Sequence, residues 1–133
     1  MKKLNVFRQV ATHLLKQNKK SSTDFTNGSI CFYKHGDLRC AIGCLIKDEH
    51  YNEALESNDG DDPRVIKAVE DSLGQKIFAD DRDFLRHLQS IHDTVTTSNW
   101  GDNLDAFAKN HFQRGLSQLN IASKGSEGSW VLD

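Results

Sequence analysis

Residues 62–74 read DPRVIKAVEDSLG, and this stretch sets the helical character of the chain. Asp62 is a preferred residue type at the N-cap of a helix, and Pro63, the only proline in the sequence, favours the first helical position. Gly74 can end the helix in the left-handed conformation. The apolar side chains between them recur at helical spacing, as Val65, Ile66, Val69 and Leu73. The stretch therefore predicts an amphipathic helix whose apolar face must be covered by other elements.

Further segments on either side of this helix show the same periodicity. The predicted helices cover residues 4–17, 80 to about 94, and 102–115. Asp80 or Asp81 is expected to cap the second of them, and Asp102 the third. Residues 40–46 (CAIGCLI) are apolar almost throughout, which fits either a buried strand or a buried helix. We favour a helix there, because alanine, leucine and isoleucine flank a glycine that allows close packing.

A short β-hairpin is predicted between the first helix and the CAIGCLI stretch. Residues 21–29 (SSTDFTNGS) are turn formers, and residues 30–33 have the composition of a strand. Residues 34–37 (KHGD) can reverse the chain, so that residues 38–40 pair back. Together with the helices, this predicts an α+β fold, mainly α, with about five helices and one small β-hairpin.

The length and composition suit one globular domain. The chain has 133 residues, of which 37% are hydrophobic and 27% are charged, as is typical of soluble globular proteins. We predict a single domain over residues 1–122 and a flexible C-terminal tail over residues 123–133. No apolar run approaches the roughly 20 residues of a membrane span, and an odd number of cysteines does not suit a secreted disulfide scaffold. The sequence therefore predicts a cytoplasmic protein with reduced thiols and no contact with a membrane.

The net charge of −2 hides a strong asymmetry along the chain. Residues 1–20 carry six basic side chains and no acidic one, whereas residues 48–93 carry 13 acidic and five basic side chains. Proteins that bind nucleic acid over a large surface are usually basic overall, so nucleic-acid binding is disfavoured. The surplus of acids predicts an exposed electronegative face that attracts a protein partner with a basic surface. Its expected members are Asp59, Asp61, Asp80 and Asp81.

One candidate catalytic arrangement combines Cys40, His92 and Asp93. A cysteine where a strand meets a helix can have its thiolate stabilised by backbone N–H groups and by the helix dipole. His92 lies on or beside an apolar helix face, and either Asp93 or Asp102 could orient its imidazole as the base. The alternative is that Cys40 and His92 are ordinary core residues, with the histidine bonded to a backbone carbonyl.

A second set of residue types suits a metal ion, namely Cys31, His35, Cys40 and Cys44. Tetrahedral zinc accepts such ligands. Their spacing, however, matches no standard zinc finger, and small buried cysteines are common in protein cores. We predict no bound metal and no other cofactor.

Three parts of the chain resemble a group of small proteins encoded by phages and prophages. They are Cys31-Phe32-Tyr33, the stretch RCAIGCLI at residues 39–46, and LQSIHD at residues 88–93 followed by Trp100. The resemblance covers residues 4–112 in the same order, and the Cys-Ala-Ile-Gly-x-Leu-Ile motif is its most specific part. The group is of unknown function. The resemblance therefore implies a viral accessory protein in the bacterial host cytosol without assigning a reaction.

From these observations we expect a small phage accessory protein that binds a host or phage protein, for example to inhibit a bacterial defence system. The small size, the charge asymmetry and the lack of a complete catalytic motif favour binding over catalysis. The alternative is a small cysteine-dependent hydrolase or transferase that uses Cys40 and His92. Homo-oligomerisation is left open.

Overall fold

The computed structural model describes residues 1–25 and 28–122, and of residues 24–25 and 28–30 it describes the backbone alone. Within these residues the α-helices are α1 (Lys3–Gln17), α2 (Pro63–Leu73), α3 (Ala79–Thr94) and α4 (Trp100–Phe112). Two antiparallel hairpins lie between α1 and α2, formed by β1 (Ser22–Phe25) with β2 (Gly28–Cys31) and by β3 (Lys34–His35) with β4 (Leu38–Arg39). The predicted mainly helical α+β class and single domain are confirmed. The tail predicted over residues 123–133 lies outside the described residues.

The helices share one core, in which α1 packs against α3 and α4. The buried side chains of α1 are those that its period predicts, namely Val6, Phe7, Val10, Ala11, Leu14 and Leu15. Phe7 stacks on Phe107 of α4 with ring centroids 5.5 Å apart, and Phe84 of α3 packs edge-on against Phe107 at 5.1 Å. No helix in the described part of the chain is both long enough and apolar enough to cross a membrane.

Helix α2 forms as its local signals predict. The Asp62 carboxylate accepts a hydrogen bond from the backbone N–H of Arg64 at 2.9 Å, which caps the helix N-terminus. Pro63 is the first helical residue. Gly74 has a φ of +66° and donates its N–H to the Glu70 carbonyl at 2.8 Å. Both ends of α2 are therefore fixed by the residues that the sequence singles out.

The strand pairing differs from the predicted hairpin. Cys31 pairs with Ser22, so residues 30–33 do not pair with residues 38–40, although the chain does reverse within residues 34–37 and residues 38–39 do pair back. Strand β1 and the first half of β2 arise from the stretch expected to form turns, whereas the second half of β2 coincides with the start of the strand predicted at residues 30–33. The second hairpin has only two residues in each strand. Its strands are joined by a two-residue turn. Gly36 in this turn adopts a φ of +61°, a conformation that such tight turns require.

The CAIGCLI stretch forms a single 3₁₀ turn at Gly43–Leu45 instead of the expected helix. The cause is a close approach of two backbone segments, since a side-chain carbon at Gly43 would lie 1.9 Å from the carbonyl oxygen of Tyr33. The Arg39 guanidinium donates to the Ile46 carbonyl at 2.7 Å and closes the turn on its C-terminal side. The described residues thus contain four α-helices rather than about five.

The last two helices begin differently from the expectation. Helix α3 begins at Ala79, and Asp81 lies in its first turn, where its carboxylate accepts the backbone N–H of Phe78 at 2.9 Å. Helix α4 begins at Trp100, so Asp102 also lies inside the first turn and does not cap the helix. Acidic side chains in a first turn still stabilise the helix through its dipole.

Candidate functional site

A groove of about 370 Å³ runs along the outer face of α3. One wall is the loop at residues 59–61, and the buried side chains of Ile42 and Leu85 form the floor. The other wall is a stripe of α3 side chains, namely Arg82, Arg86, Gln89, Ser90, Asp93 and Thr94. These positions recur at three- and four-residue steps, so the helix period places them on one face. We call this feature the groove.

A second cavity of about 290 Å³, the cleft, adjoins the groove and shares four lining residues with it: Asp59, Gly60, Gln89 and Asp93. Its lining contains three carboxylates, those of Glu56, Asp59 and Asp93, and no lysine or arginine. Phe32 and Tyr33 add aromatic surface to its wall. The cleft is therefore electronegative and suits a cationic group.

Glu56 fixes one wall of the cleft to the hairpins. Its carboxylate accepts the backbone N–H groups of Tyr33 at 2.9 Å and Lys34 at 3.1 Å, and the hydroxyl of Tyr51 at 2.5 Å. The Tyr33 hydroxyl in turn donates to the Asn58 carbonyl at 2.5 Å. These bonds hold the loop before α2 in place although it contains no α-helix or strand.

The opposite wall is organised around His92, which is completely buried. Its Nε2 accepts the backbone N–H of Ser21 at 3.0 Å, so its Nδ1 carries the proton and donates to Asp93 at 2.8 Å. Asp93 also accepts from the Gln89 amide at 2.8 Å. Burial alone would raise the pKa of Asp93, but these hydrogen bonds outweigh it and hold the pKa below its usual value. Trp100 covers the imidazole, with ring centroids 5.5 Å apart.

This arrangement provides only part of the geometry that catalysis by Cys40, His92 and Asp93 would require. The structure joins His92 to Asp93, but both ring nitrogens are already engaged, so no lone pair is free to take a proton from a thiol. Cys40 is 1% exposed, and its Sγ accepts the Gly43 N–H at 3.3 Å. Burial raises the pKa of Cys40 to about 12. The burial and the raised pKa of Cys40 therefore argue against an activated thiolate at this position. His92 is a core histidine, bonded to a backbone N–H rather than to the expected carbonyl.

A different trio gathers the donor types of a metal site. Cys31, His92 and Asp93 each place a ligand-type atom within 4.8 Å of the other two, and no other such group of three occurs among the described residues. The four residues considered from the sequence, Cys31, His35, Cys40 and Cys44, are thus not brought together. If Nδ1 of His92 bound a metal, the imidazole proton would have to be on Nε2. The Nε2–H and the backbone N–H of Ser21 would then be two donors facing each other, and the hydrogen bond between them would be lost. Burial, followed by the charge of Asp93, raises the pKa of Cys31 to about 11. These donors therefore fit a hydrogen-bonded network better than a metal ion.

The four acids expected to form one exposed face occupy two separate places. Asp59 and Asp61 are exposed beside the groove, and Asp61 forms an ion pair with Arg86 at 2.5 Å. Asp80 is exposed at the start of α3 and pairs with Lys3 at 2.8 Å. Asp81 is 3% exposed, because it accepts the Phe78 N–H and lies 3.3 Å from the amino group of Met1. Asp81 is therefore not part of an exposed face, and Asp59 is the member left without an ion pair among the described residues.

Comparisons of the chain with protein-family models, with curated proteins and with solved structures find no match. The groove and the cleft are therefore the basis for assigning a function. Sequence reasoning names three of their four acids, Asp59, Asp61 and Asp93, but misses Glu56 and also Arg82 and Gln89. The spacing of residues 82, 86, 89 and 93 on one helix face was the available signal.

Proposed function

We propose that this protein is a phage-encoded accessory protein that binds a host or phage protein in the bacterial cytoplasm, with the cleft as its docking site. The phage origin and the location rest on the resemblance of residues 31–46 and 88–93 to phage and prophage proteins. The docking site rests on the geometry described above. The partner is expected to offer a basic surface.

The observation that carries the proposal is the charge of the cleft. Glu56, Asp59 and Asp93 line it, and no basic side chain does. Glu56 and Asp93 are held in fixed positions by their hydrogen bonds, so their charges do not need to be ordered when a partner binds. Asp59 is exposed and unpaired among the described residues, which leaves it available to a lysine or arginine of the partner.

We favour inhibition of a bacterial defence system as the purpose of this protein binding. Many defence proteins act on nucleic acid, and a surface that holds nucleic acid is basic. An acidic site on a small protein competes for such a surface by the same electrostatic attraction. The cysteine-dependent hydrolase or transferase lacks a comparable observation, because His92 has no free nitrogen and the pKa of Cys40 is raised.

The test is capture of a partner from a bacterial lysate, followed by binding of the purified partner to variants. Asp59→Lys reverses the unpaired charge of the cleft and should reduce affinity. Asp37→Lys is the matched control, since Asp37 is also exposed and without an ion pair among the described residues, and it lies outside the groove and the cleft. Equal loss of affinity in both variants, or a partner that binds Asp59→Lys as well as the wild type, would refute docking at the cleft.

A further inference from the structure

The groove adds a charge of the opposite sign at a fixed distance from the cleft. Arg82 lines the groove near the start of α3, is exposed, and forms no ion pair with any described residue. Arg86, one turn further on, is held by Asp61 at 2.5 Å and by Asp83 at 3.0 Å. Arg82 is therefore the cation of the groove that is available to a ligand.

Arg82 and the cleft acid Asp93 stand at opposite ends of one continuous surface. Asp93, shared by the groove and the cleft, follows Arg82 by eleven residues on the same helix, which corresponds to about 17 Å along the axis. An extended peptide advances about 3.3 Å per residue, so about five residues span this distance. Ile42 and Leu85 form an apolar floor between the two ends.

We propose that the groove and the cleft together hold an extended segment of the partner protein that carries one acidic and one basic side chain about five residues apart. The acidic side chain faces Arg82, and the basic side chain enters the cleft beside Asp59 and Asp93. This inference rests on the proposed function and specifies its ligand. A purely basic segment would satisfy the cleft but would place a like charge against Arg82, which disfavours it.

Six-residue peptides with blocked ends test the inference without a known partner. One pair carries aspartate and arginine at opposite ends, in either order, with serine and alanine between them, and a control peptide carries arginine at both ends. Binding is followed by amide chemical shifts of the full-length protein. We expect one of the mixed peptides to shift residues 59–61 and 82–94 and to bind about fivefold more tightly than the Arg–Arg peptide.

Charge reversal at Arg82 supplies the decisive comparison. In Arg82→Glu both ends of the surface are acidic, so the order of preference should invert and the Arg–Arg peptide should bind more tightly. Glutamate is favourable near a helix N-terminus, so the variant should fold, which circular dichroism verifies. An unchanged order of preference, or no shift with any peptide, overturns the inference. Equal binding of all arginine peptides, lost only in Asp59→Lys, would overturn it while leaving the cleft as the docking site.

Discussion

Nε2 of His92 accepts a hydrogen bond from the backbone N–H of Ser21 at 3.0 Å, and both residues are completely buried. Ser21 directly precedes β1, and His92 lies 71 residues further along the chain. The bond therefore ties the first hairpin to the C-terminal part of α3, and it also decides which nitrogen of His92 faces Asp93.

Replacing His92 by phenylalanine should destabilise the protein by about 1–3 kcal/mol, the usual cost of leaving a buried donor unsatisfied. Phenylalanine leaves no cavity, because its ring is larger than imidazole, but it removes both the acceptor for Ser21 and the N–H that Asp93 accepts, so the loss reports these two hydrogen bonds together. Urea denaturation measures the change. His87→Phe, at an exposed position of the same helix, is the control. Equal midpoints for the two variants would show that these bonds contribute nothing.

The close contact between Gly43 and Tyr33 predicts a strong effect of one methyl group. A Cβ at position 43 would lie 1.9 Å from a backbone oxygen, so Gly43→Ala must displace a backbone segment and should cost about 3 kcal/mol. At Gly60 a Cβ would meet only the end of the Ile42 side chain, at 2.8 Å. Gly60→Ala should therefore cost less. Thermal denaturation of both variants would contradict this reasoning if their midpoints fell equally.

The stability of the protein should decrease as the pH falls below about 6.5 because of His13. Burial lowers the pKa of His13 from its ordinary value of 6.5, although its hydrogen bond to the Arg39 carbonyl acts in the other direction. The unfolded chain then binds more protons than the folded one between the two pKa values, so stability is present above this window and is lost as the pH falls through it.

The measurement is the free energy of unfolding between about pH 5 and about pH 7.5, the range in which histidine titrates. His13→Gln should flatten the pH dependence, and His35→Gln, at an exposed histidine, should leave it unchanged. A His13→Gln profile as steep as that of the wild type would assign the dependence to another group.

The thiols should react slowly in the folded protein. Because the pKa values of Cys31 and Cys40 are raised to about 11 and about 12, the thiolate fraction at neutral pH is at least about 100-fold lower than for a free cysteine. The rate of reaction with an aromatic disulfide at pH 7.5, compared between folded and urea-unfolded protein, measures this. A fast phase in the folded protein that disappears in Cys40→Ser would revive the enzyme hypothesis.

Association with the partner should slow as salt is added, because the cleft attracts a basic surface through charge. Asp59→Lys should lower the association rate constant about tenfold at low ionic strength. Asp37→Lys should change it less, since Asp37 is an exposed aspartate outside the cleft. A rate constant that depends on neither salt nor Asp59 would place the docking site elsewhere.

The sequence predicts those parts of the fold that are set by neighbouring residues. Asp62 and Gly74 mark both ends of α2, and the apolar periods of α1 and α3 identify their buried faces. The turn at residues 43–45 depends instead on a contact with Tyr33 and on a cap from Arg39. Such contacts join segments that local patterns treat separately, so the helix predicted over residues 40–46 is reduced to one 3₁₀ turn.

The candidate site was predictable to a similar degree. The sequence indicates His92 beside an apolar helix face, Asp93 as its neighbour, and Asp59 in an acidic loop. The role of His92 is decided by Ser21, which no local pattern connects to it. The burial of Asp81 likewise follows from its contact with the start of the chain. Sequence patterns thus identify the polar and charged groups but not the distant residues to which these groups are hydrogen-bonded.

The contact between Trp100 and His92 gives the protein an internal optical reporter. The indole lies 5.5 Å from the imidazole, and that imidazole is hydrogen-bonded to Asp93 in the wall of the cleft. Once Trp130, the other tryptophan of the sequence, is replaced by phenylalanine, emission comes from Trp100 alone. Occupation of the cleft can then be followed by tryptophan fluorescence without an attached label.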